Sequence, residues 1–281
     1  MEIFHDIQKL RQSLDTKRLE GKNIGFVPTM GYLHQGHLSL IKSSAKENDV
    51  TVLSIYVNPT QFAPNEDLDN YPRDLENDTK IAEEAGADII FIPNNKMMYI
   101  DNHVTYVNVH ELTDNLCGLS RPTHFQGVTT IVTKLFNIVQ PKRAYFGQKD
   151  AQQAIIIKRM VKDLNIPVDI VVCPIIREHD GLAMSSRNTY LNQQERSEAT
   201  ILNESLQKAK LLIEAGERDS KVIKNTIESM INSKPSANID YISIVSQETL
   251  KDITTIKGSI LIAIAVKMGN TRLIDNIQME V

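Results

Sequence analysis

The stretch Asn23 to Ile41, reading N-I-G-F-V-P-T-M-G-Y-L-H-Q-G-H-L-S-L-I, restricts the possible folds more than any other in the chain. Its first part, Ile24 to Val27, is a short apolar run of the kind found in buried parallel strands. Pro28 has no N–H to donate, so the ladder is expected to end there. Gly31 and Gly36 supply backbone freedom for a tight turn and for close approach to a ligand. From His37 the pattern becomes helical, with Leu38 and Ile41 on one face and Ala45 a turn further on. Strand, glycine loop and helix start follow in that order. The unpaired N–H groups and dipole of a helix N-terminus suit an anion. His34 and His37 flank Gly36 in that loop. A lone loop histidine usually has no task, but imidazoles between a strand and a helix start are placed to meet whatever anion the helix holds.

The rest of the chain repeats the βα alternation. Residues 3–19 carry Ile3, Ile7, Leu10 and Leu14 on one helical stripe. Val50 to Val57 is a second strand, ending at Asn58-Pro59. Gln61 to Arg73 is polar and proline-bearing, with the length of a binding loop. A helix from Leu75 to Ala85 stops at Gly86, and Asp88 to Pro93 is a third strand. Val104 to Val109 alternates and is β-branched, which suits an edge strand. A helix with a broad apolar face runs from Val128 to Val139. A strand at Ala144 to Phe146, a helix bearing Ile157, Met160, Val161 and Leu164, and a strand at Val168 to Cys173 follow. The pattern predicts an α/β fold, a Rossmann-like parallel sheet flanked by helices. After Pro174 the character changes. Two helices (Leu202 to Ile213, Ile223 to Ile231) and three strand candidates (Tyr241–Val245, Ile260–Val266, Leu273–Ile277) predict a smaller α+β C-terminal domain. The domains are expected to be residues 1–175 and 176–281.

Composition excludes several function classes. The 281 residues are 41% hydrophobic and 23% charged, ordinary values for a chain that builds a core. A net charge of −4 with no basic run argues against a nucleic-acid partner. The two cysteines, Cys117 and Cys173, have no metal spacing around them and read as buried small hydrophobes. The N-terminus is charged and helical in period, unlike a signal peptide, and no apolar run approaches a membrane span. A soluble cytoplasmic protein is expected.

Four further polar clusters interrupt the apolar pattern. Asn58-Pro-Thr-Gln61 ends the second strand, where open parallel sheets bind ligands. An amide there suits a carboxylate or hydroxyl, or simply the turn's own backbone. Arg121 and His124 precede a helix and either assist an anion or brace a loop. Gly147-Gln148-Lys149-Asp150, with Gln152 and Gln153 beyond, suits a nucleotide: ammonium against phosphate, carboxylate on ribose hydroxyls or magnesium. Alone, Lys149-Asp150 would be a surface pair. Met184-Ser185-Ser186-Arg187-Asn188 is a phosphate clamp on a loop bridging the domains, or a solvated loop with a helix cap. No Ser-His-Asp pattern and no zinc spacing occurs. The equipment is for stabilising charge on transferring phosphates, with no covalent nucleophile.

These residues together resemble the pantoate–β-alanine ligase (pantothenate synthetase) family. The resemblance runs through Pro28-Thr-Met-Gly-Tyr-Leu-His34-Gln-Gly-His37, Asn58-Pro-Thr-Gln61-Phe, Tyr71-Pro-Arg73-Asp, Arg121-Pro-Thr-His124-Phe-Gln-Gly, Phe146-Gly-Gln-Lys149-Asp150-Ala-Gln-Gln153, Asp180-Gly-Leu-Ala-Met184-Ser-Ser-Arg187-Asn188 and Arg272-Leu-Ile-Asp275-Asn276. His-x-Gly-His alone belongs to the wider nucleotidylyltransferase superfamily; the combination is specific. The sequence departs from the family at Ala151, where many members have an aromatic residue, and at Ile100, where a proline often follows the tyrosine.

The resemblance implies a cytoplasmic homodimer whose smaller domain is a lid, using ATP, Mg²⁺, pantoate and β-alanine. The pantoate carboxylate would attack the α-phosphorus of ATP, giving pantoyl adenylate and pyrophosphate; the β-alanine amine would then release AMP. The sequence names no base for that amine. Carried over by position, the resemblance places ATP against Met30, Gly31, Tyr32, Leu33, His34, Gln35, Gly36 and His37. It adds Gly147, Gln148, Lys149, Asp150, Ile176, Met184, Ser185, Ser186 and Arg187 to that site. Pantoate would lie on Gln61 and Gln153, and β-alanine near Gln61. His37, the family's assigned proton donor, His34, Lys149 and Arg187 would be catalytic, with no protein metal site assigned. An adenylyltransferase that stops at a stable adenylylated product would explain the histidines but not the paired glutamines. A catalytically dead nucleotide-binding regulator would be expected to have lost His37, Lys149 or Arg187, and all three are present. A tRNA synthetase would need a tRNA-binding region that neither length nor charge provides.

Overall fold

Alternation within each short strand shows why the apolar runs are continuous. On β2 (Ile24–Thr29) the side chains of Ile24 and Phe26 join one buried cluster, and Val27 joins another. The same split occurs on β3 (Val50–Ile55), β4 (Ile89–Phe91) and β5 (Arg143–Gly147). A strand covered on both faces has no polar side to show. The structure is a computed structural model and describes residues 1–64 and 66–281. With β1 (Glu2–Phe4) and β6 (Asp169–Cys173) these strands form a six-stranded parallel sheet in the order β1-β4-β3-β2-β5-β6.

One face carries α1 (Ile7–Leu19), through Leu10 and Leu14; the other carries α2 (Gln35–Glu47), through Leu38, Leu40 and Ile41, and α3 (Leu75–Glu84), through Ala82. Two short helices follow, α4 (Asn95–Met98) and α5 (Cys117–Ser120). The first face is completed by α6 (His124–Val139) and by Ile157 and Met160 of α7 (Ala151–Asp163).

The chain divides into two compact units. The first holds Met1–His110, Arg121–Gln148 and Ile156–Pro174; the second holds Glu111–Ser120, Lys149–Ile155 and Ile175–Val281. In the second, α8 (Gln193–Glu198), α9 (Ile201–Glu214) and α10 (Ser220–Asn232) accompany an antiparallel sheet, β7 (Ala237–Ser246), β8 (Ser259–Met268) and β9 (Thr271–Glu280). Its core joins Leu206, Ile213, Ile227 and Ile231 of the helices to Ile244, Ile262 and Leu273 of the strands.

Four local expectations are corrected. Residues 2–4 are an edge strand on β4, and the helix begins only at Ile7, capped by Asp6; Ile3 is exposed and leaves the helical stripe. Pro28 does not end its strand. It pairs in register with Ser54, and Thr29 continues the ladder, because the missing donor matters only toward β5, where pairing already stops at Phe26. The helix predicted from His37 starts at Gln35, with His34 as its cap. Val104 to Val109 is irregular and mostly exposed, since no neighbouring strand offers it a ladder among the described residues.

Candidate active site

Strand order reverses at β2, whose neighbours β3 and β5 lead away in opposite directions. β2 and β5 pair only at Gly25–Arg143 and Phe26–Ala144, yet β2 continues to Thr29 and β5 to Gly147. Their carboxyl ends therefore part, and such a switch point is where open α/β sheets bind ligands. The loop Met30 to His34 leaves one strand there. Gly147 and Gln148, both partly exposed, leave the other, and a Cβ at Gly147 would meet nothing within 4 Å.

The loop after β2 is held open by an unusual backbone. Gly31 (φ 84°) and Tyr32 (φ 50°) both lie in the left-handed region. The Asp78 carboxylate, 1% exposed on α3, accepts the N–H of Tyr32 at 2.7 Å and that of Leu33 at 2.6 Å. Burial pushes the Asp78 carboxyl above its ordinary value, and the two N–H bonds only partly offset this. The chain then enters α2 through a capping box made of the two histidines. His34 Nδ1 accepts from the Gly36 N–H (3.1 Å), and His37 Nδ1 accepts from the His34 N–H (3.2 Å). An accepting Nδ1 carries no proton, so each neutral ring is an Nε2–H donor. The rings lie 4.1 Å apart. Gln35 is exposed at the first position of the helix.

Gln61 follows β3 on a 3-10 turn, Pro59–Gln61, and its Nε2 donates to the Met30 sulfur at 2.8 Å. Asn58, 1% exposed, is structural: its amide donates to the Gly127 carbonyl (3.1 Å) and to Gln61 Oε1 (3.3 Å), and its oxygen accepts from Thr60 and Tyr99. Arg121 and His124 also donate to the Gln61 carbonyl, at 3.2 and 2.8 Å. Arg121 forks onto Glu66 with two bonds of 2.5 Å. Burial pushes the Glu66 carboxyl up, but the guanidinium outweighs it and holds the group below the usual carboxylate value. Of the two roles open to Arg121 and His124, these contacts are those of a brace on the Gln61 turn. The loop expected over Gln61 to Arg73 includes Asn65, which lies outside the described residues.

In the second unit, Lys149 and Asp150 lie 3.7 Å apart, with Lys149 half-buried and the Asp150 carboxylate half-exposed. The neighbouring glutamines differ. Gln152 is buried, accepting from the Cys117 N–H and donating to the Leu112 and Asn115 carbonyls, so it is structural; Gln153 is half-buried on the first turn of α7. The Ile176 carbonyl accepts from the Met184 N–H (3.0 Å), closing a hairpin. Ser185 caps the 3-10 turn Ser186–Tyr190 by accepting from the Arg187 N–H, with Ser186 buried.

The model of the family "Pantoate-beta-alanine ligase" matches residues 2–278. The chain belongs to the pantoate–β-alanine ligase family. It is 58% identical to the pantothenate synthetase of Acetivibrio thermocellus over 281 residues, covering all of both chains. The structure of pantothenate synthetase from Thermus thermophilus is similar over the full length of both chains, with a TM-score of 0.95 and 41% identity. The pantoate–β-alanine ligase from Francisella tularensis, solved complexed with beta-gamma ATP and beta-alanine, is 36% identical with a TM-score of 0.80, over 99% of this chain and 97% of that one.

Two side chains that brace this site stand outside the motifs read from the sequence: Asp78, which holds the loop after β2, and Glu66, which holds Arg121. Asp78 shares the buried stripe of α3 with Ala82, four residues on, and a carboxylate on such a stripe was the available signal. Glu66 gave no signal, since it lies in a polar loop where any acid would pass unnoticed.

Proposed function

We propose that this chain joins pantoate to β-alanine with ATP, forming pantothenate, AMP and pyrophosphate by way of pantoyl adenylate. The observation that carries the reading is the family match from residue 2 to residue 278, nearly the whole chain. A carboxylate is already ionised at neutral pH, so the first step needs no base. A carboxylate oxygen bonds to the α-phosphorus and the bond to pyrophosphate breaks. The protein's task is to hold the reactants and stabilise charge on the phosphate oxygens.

The residues divide that task. The Nε2–H groups of His34 and His37, at the N-terminus of α2, donate to phosphate oxygens. Met30 to Leu33, Gln35 and Gly36 shape the nucleotide's bed, with Gly147 and Gln148 on the neighbouring strand end. Lys149 and Arg187 neutralise phosphate charge; Asp150, Ile176, Met184, Ser185 and Ser186 complete the ATP contacts. Gln61 and Gln153 hold pantoate, and Gln61 also meets β-alanine. A thioether is a weak acceptor, so a carboxylate readily takes the Gln61 amide from Met30.

Magnesium fits as an ion carried in on the nucleotide. Among the described residues no group of three or more His, Cys, Asp or Glu side chains could cage a metal. Mg²⁺ of this kind needs only one or two carboxylates besides phosphate oxygens and water, which Asp150 can supply. When bound it neutralises charge on the phosphates. In the second step the amine nitrogen bonds to the acyl carbon, the bond to AMP breaks, and the nitrogen loses a proton. We assign residues 1–175 to nucleotide and pantoate binding and residues 176–281 to the lid, in a cytoplasmic homodimer, from the resemblance. No helix among the described residues is long and apolar enough to cross a membrane.

Exchange of labelled pyrophosphate into ATP tests the reading. It should require pantoate, proceed without β-alanine, and fall roughly 10²–10³-fold in His37→Ala and Lys149→Ala. Exchange without any carboxylate substrate would contradict it.

A further inference from the structure

The motif Arg272-Leu-Ile-Asp275-Asn276 has no part in the chemistry above. It lies on β9, where Asp275 and Asn276 are 2% and 3% exposed. Successive strand side chains take opposite faces. Asp275 therefore shares a face with Leu273 and Ile277, both in the apolar core of the second unit, and Asn276 takes the other face.

Both polar groups are bonded, and both to segments outside their sheet. Arg177 forks onto the Asp275 carboxylate at 2.6 and 3.0 Å, and its Nη1 also donates to the Gly181 carbonyl. Asn276 Nδ2 donates to the Lys149 carbonyl at 3.0 Å, and the Asn276 N–H donates to Asp275 Oδ1 at 2.7 Å. Arg177 pairs with Ala183 in the hairpin that has Ile176 at its start and Met184 to Arg187 after it. Lys149 and Asp150 enter α7. Two adjacent residues of one strand thus fix both second-unit segments assigned to ATP. A sheet core does not need a buried ion pair for stability; apolar residues of similar volume often serve as well or better.

We propose that Asp275 and Asn276 are positioning residues for ATP activation, setting the Lys149 backbone and the Arg177 hairpin in a fixed relation. The proposal rests on Lys149 and Arg187 being phosphate contacts. Reacting groups tolerate little displacement, and a shift of about 1 Å can cost roughly 10²-fold in rate.

The test is a double-mutant cycle read by pantoate-dependent pyrophosphate exchange. Asn276→Leu keeps the shape and removes the donor; Asn276→Ala serves should leucine crowd the site. Either should lower kcat roughly 10- to 100-fold with a smaller effect on the KM for ATP. In the Lys149→Ala background the same change should cost nothing further, because the group being positioned is gone. For the other arm, Arg177→Lys keeps the charge but loses the fork, and its kcat loss should likewise vanish in the Arg187→Ala background. Equal losses in both backgrounds, or earlier melting with kcat unchanged, would make the pair merely structural and overturn the proposal. Lys149→Ala with parental exchange would instead remove the phosphate role of Lys149, and the positioning role with it. That single variant separates the two failures.

Discussion

Asp78 is a buried carboxylate held against the loop after β2, and it marks where stability is given up for geometry. Its carboxylate is buried and its pKa is raised by that burial. The native state therefore holds this proton more tightly than the unfolded chain does. Where it is ionised in both states the group subtracts from stability, and the loss shrinks as pH falls through the raised value. In return it holds the left-handed Gly31–Tyr32 loop by two backbone N–H groups. Asp78→Asn can accept only one of them. The unpaired N–H costs about 1–3 kcal/mol, offset in part by removing a buried charge. We expect a small net change in denaturant midpoint and a loss of exchange activity of roughly 10²-fold; full activity would show that the loop needs no carboxylate. His34 and His37 were legible in the sequence because they sit between a strand and a helix start. Their capping box, which selects the Nε2–H form, was not, because it depends on backbone N–H directions that no spacing reveals.

At the level of elements, the unit of strand, loop and helix depends on how closely α2 lies on β2. A Cβ on Gly25 would fall 2.2 Å from Ser44 Oγ and 2.4 Å from Asn48 Nδ2. Gly25→Ala must displace these two side chains, which bond the Thr51 hydroxyl and the Tyr145 hydroxyl, and overpacking of this kind costs about 1–3 kcal/mol. Gly147→Ala meets nothing within 4 Å, so it should change stability by less than about 0.5 kcal/mol while raising the KM for ATP. Chemical denaturation and steady-state kinetics check the contrast; equal destabilisation by both would contradict it. Five of the six strands of the α/β pattern were legible, because strands covered on both faces leave unbroken apolar runs. Three local features were not. A three-residue edge strand at Glu2–Phe4 is too short to show a period, Pro28 is tolerated because of a ladder that ends two residues earlier, and Val104–Val109 has strand chemistry but no partner strand. Propensity describes a segment, whereas pairing depends on what lies beside it.

For the whole molecule, the two units carry different parts of one proposed reaction. The first holds the histidines and Gln61; the second holds Lys149, Gln153 and the Met184–Arg187 segment. The second unit gathers residues 111–120 and 149–155 from far along the chain, a grouping that contiguous sequence patterns cannot express. In the proposed first step the pantoate carboxylate attacks the α-phosphorus of ATP. Pantoate labelled with ¹⁸O in both carboxylate oxygens tests it most directly, with products read by mass spectrometry and phosphorus NMR after β-alanine is added. Attack at the α-phosphorus, followed by aminolysis, must leave one labelled oxygen in AMP and the other in the amide carbonyl of pantothenate. Label in inorganic phosphate, with ADP as the nucleotide product, would mean attack at the γ-phosphorus and would contradict the account.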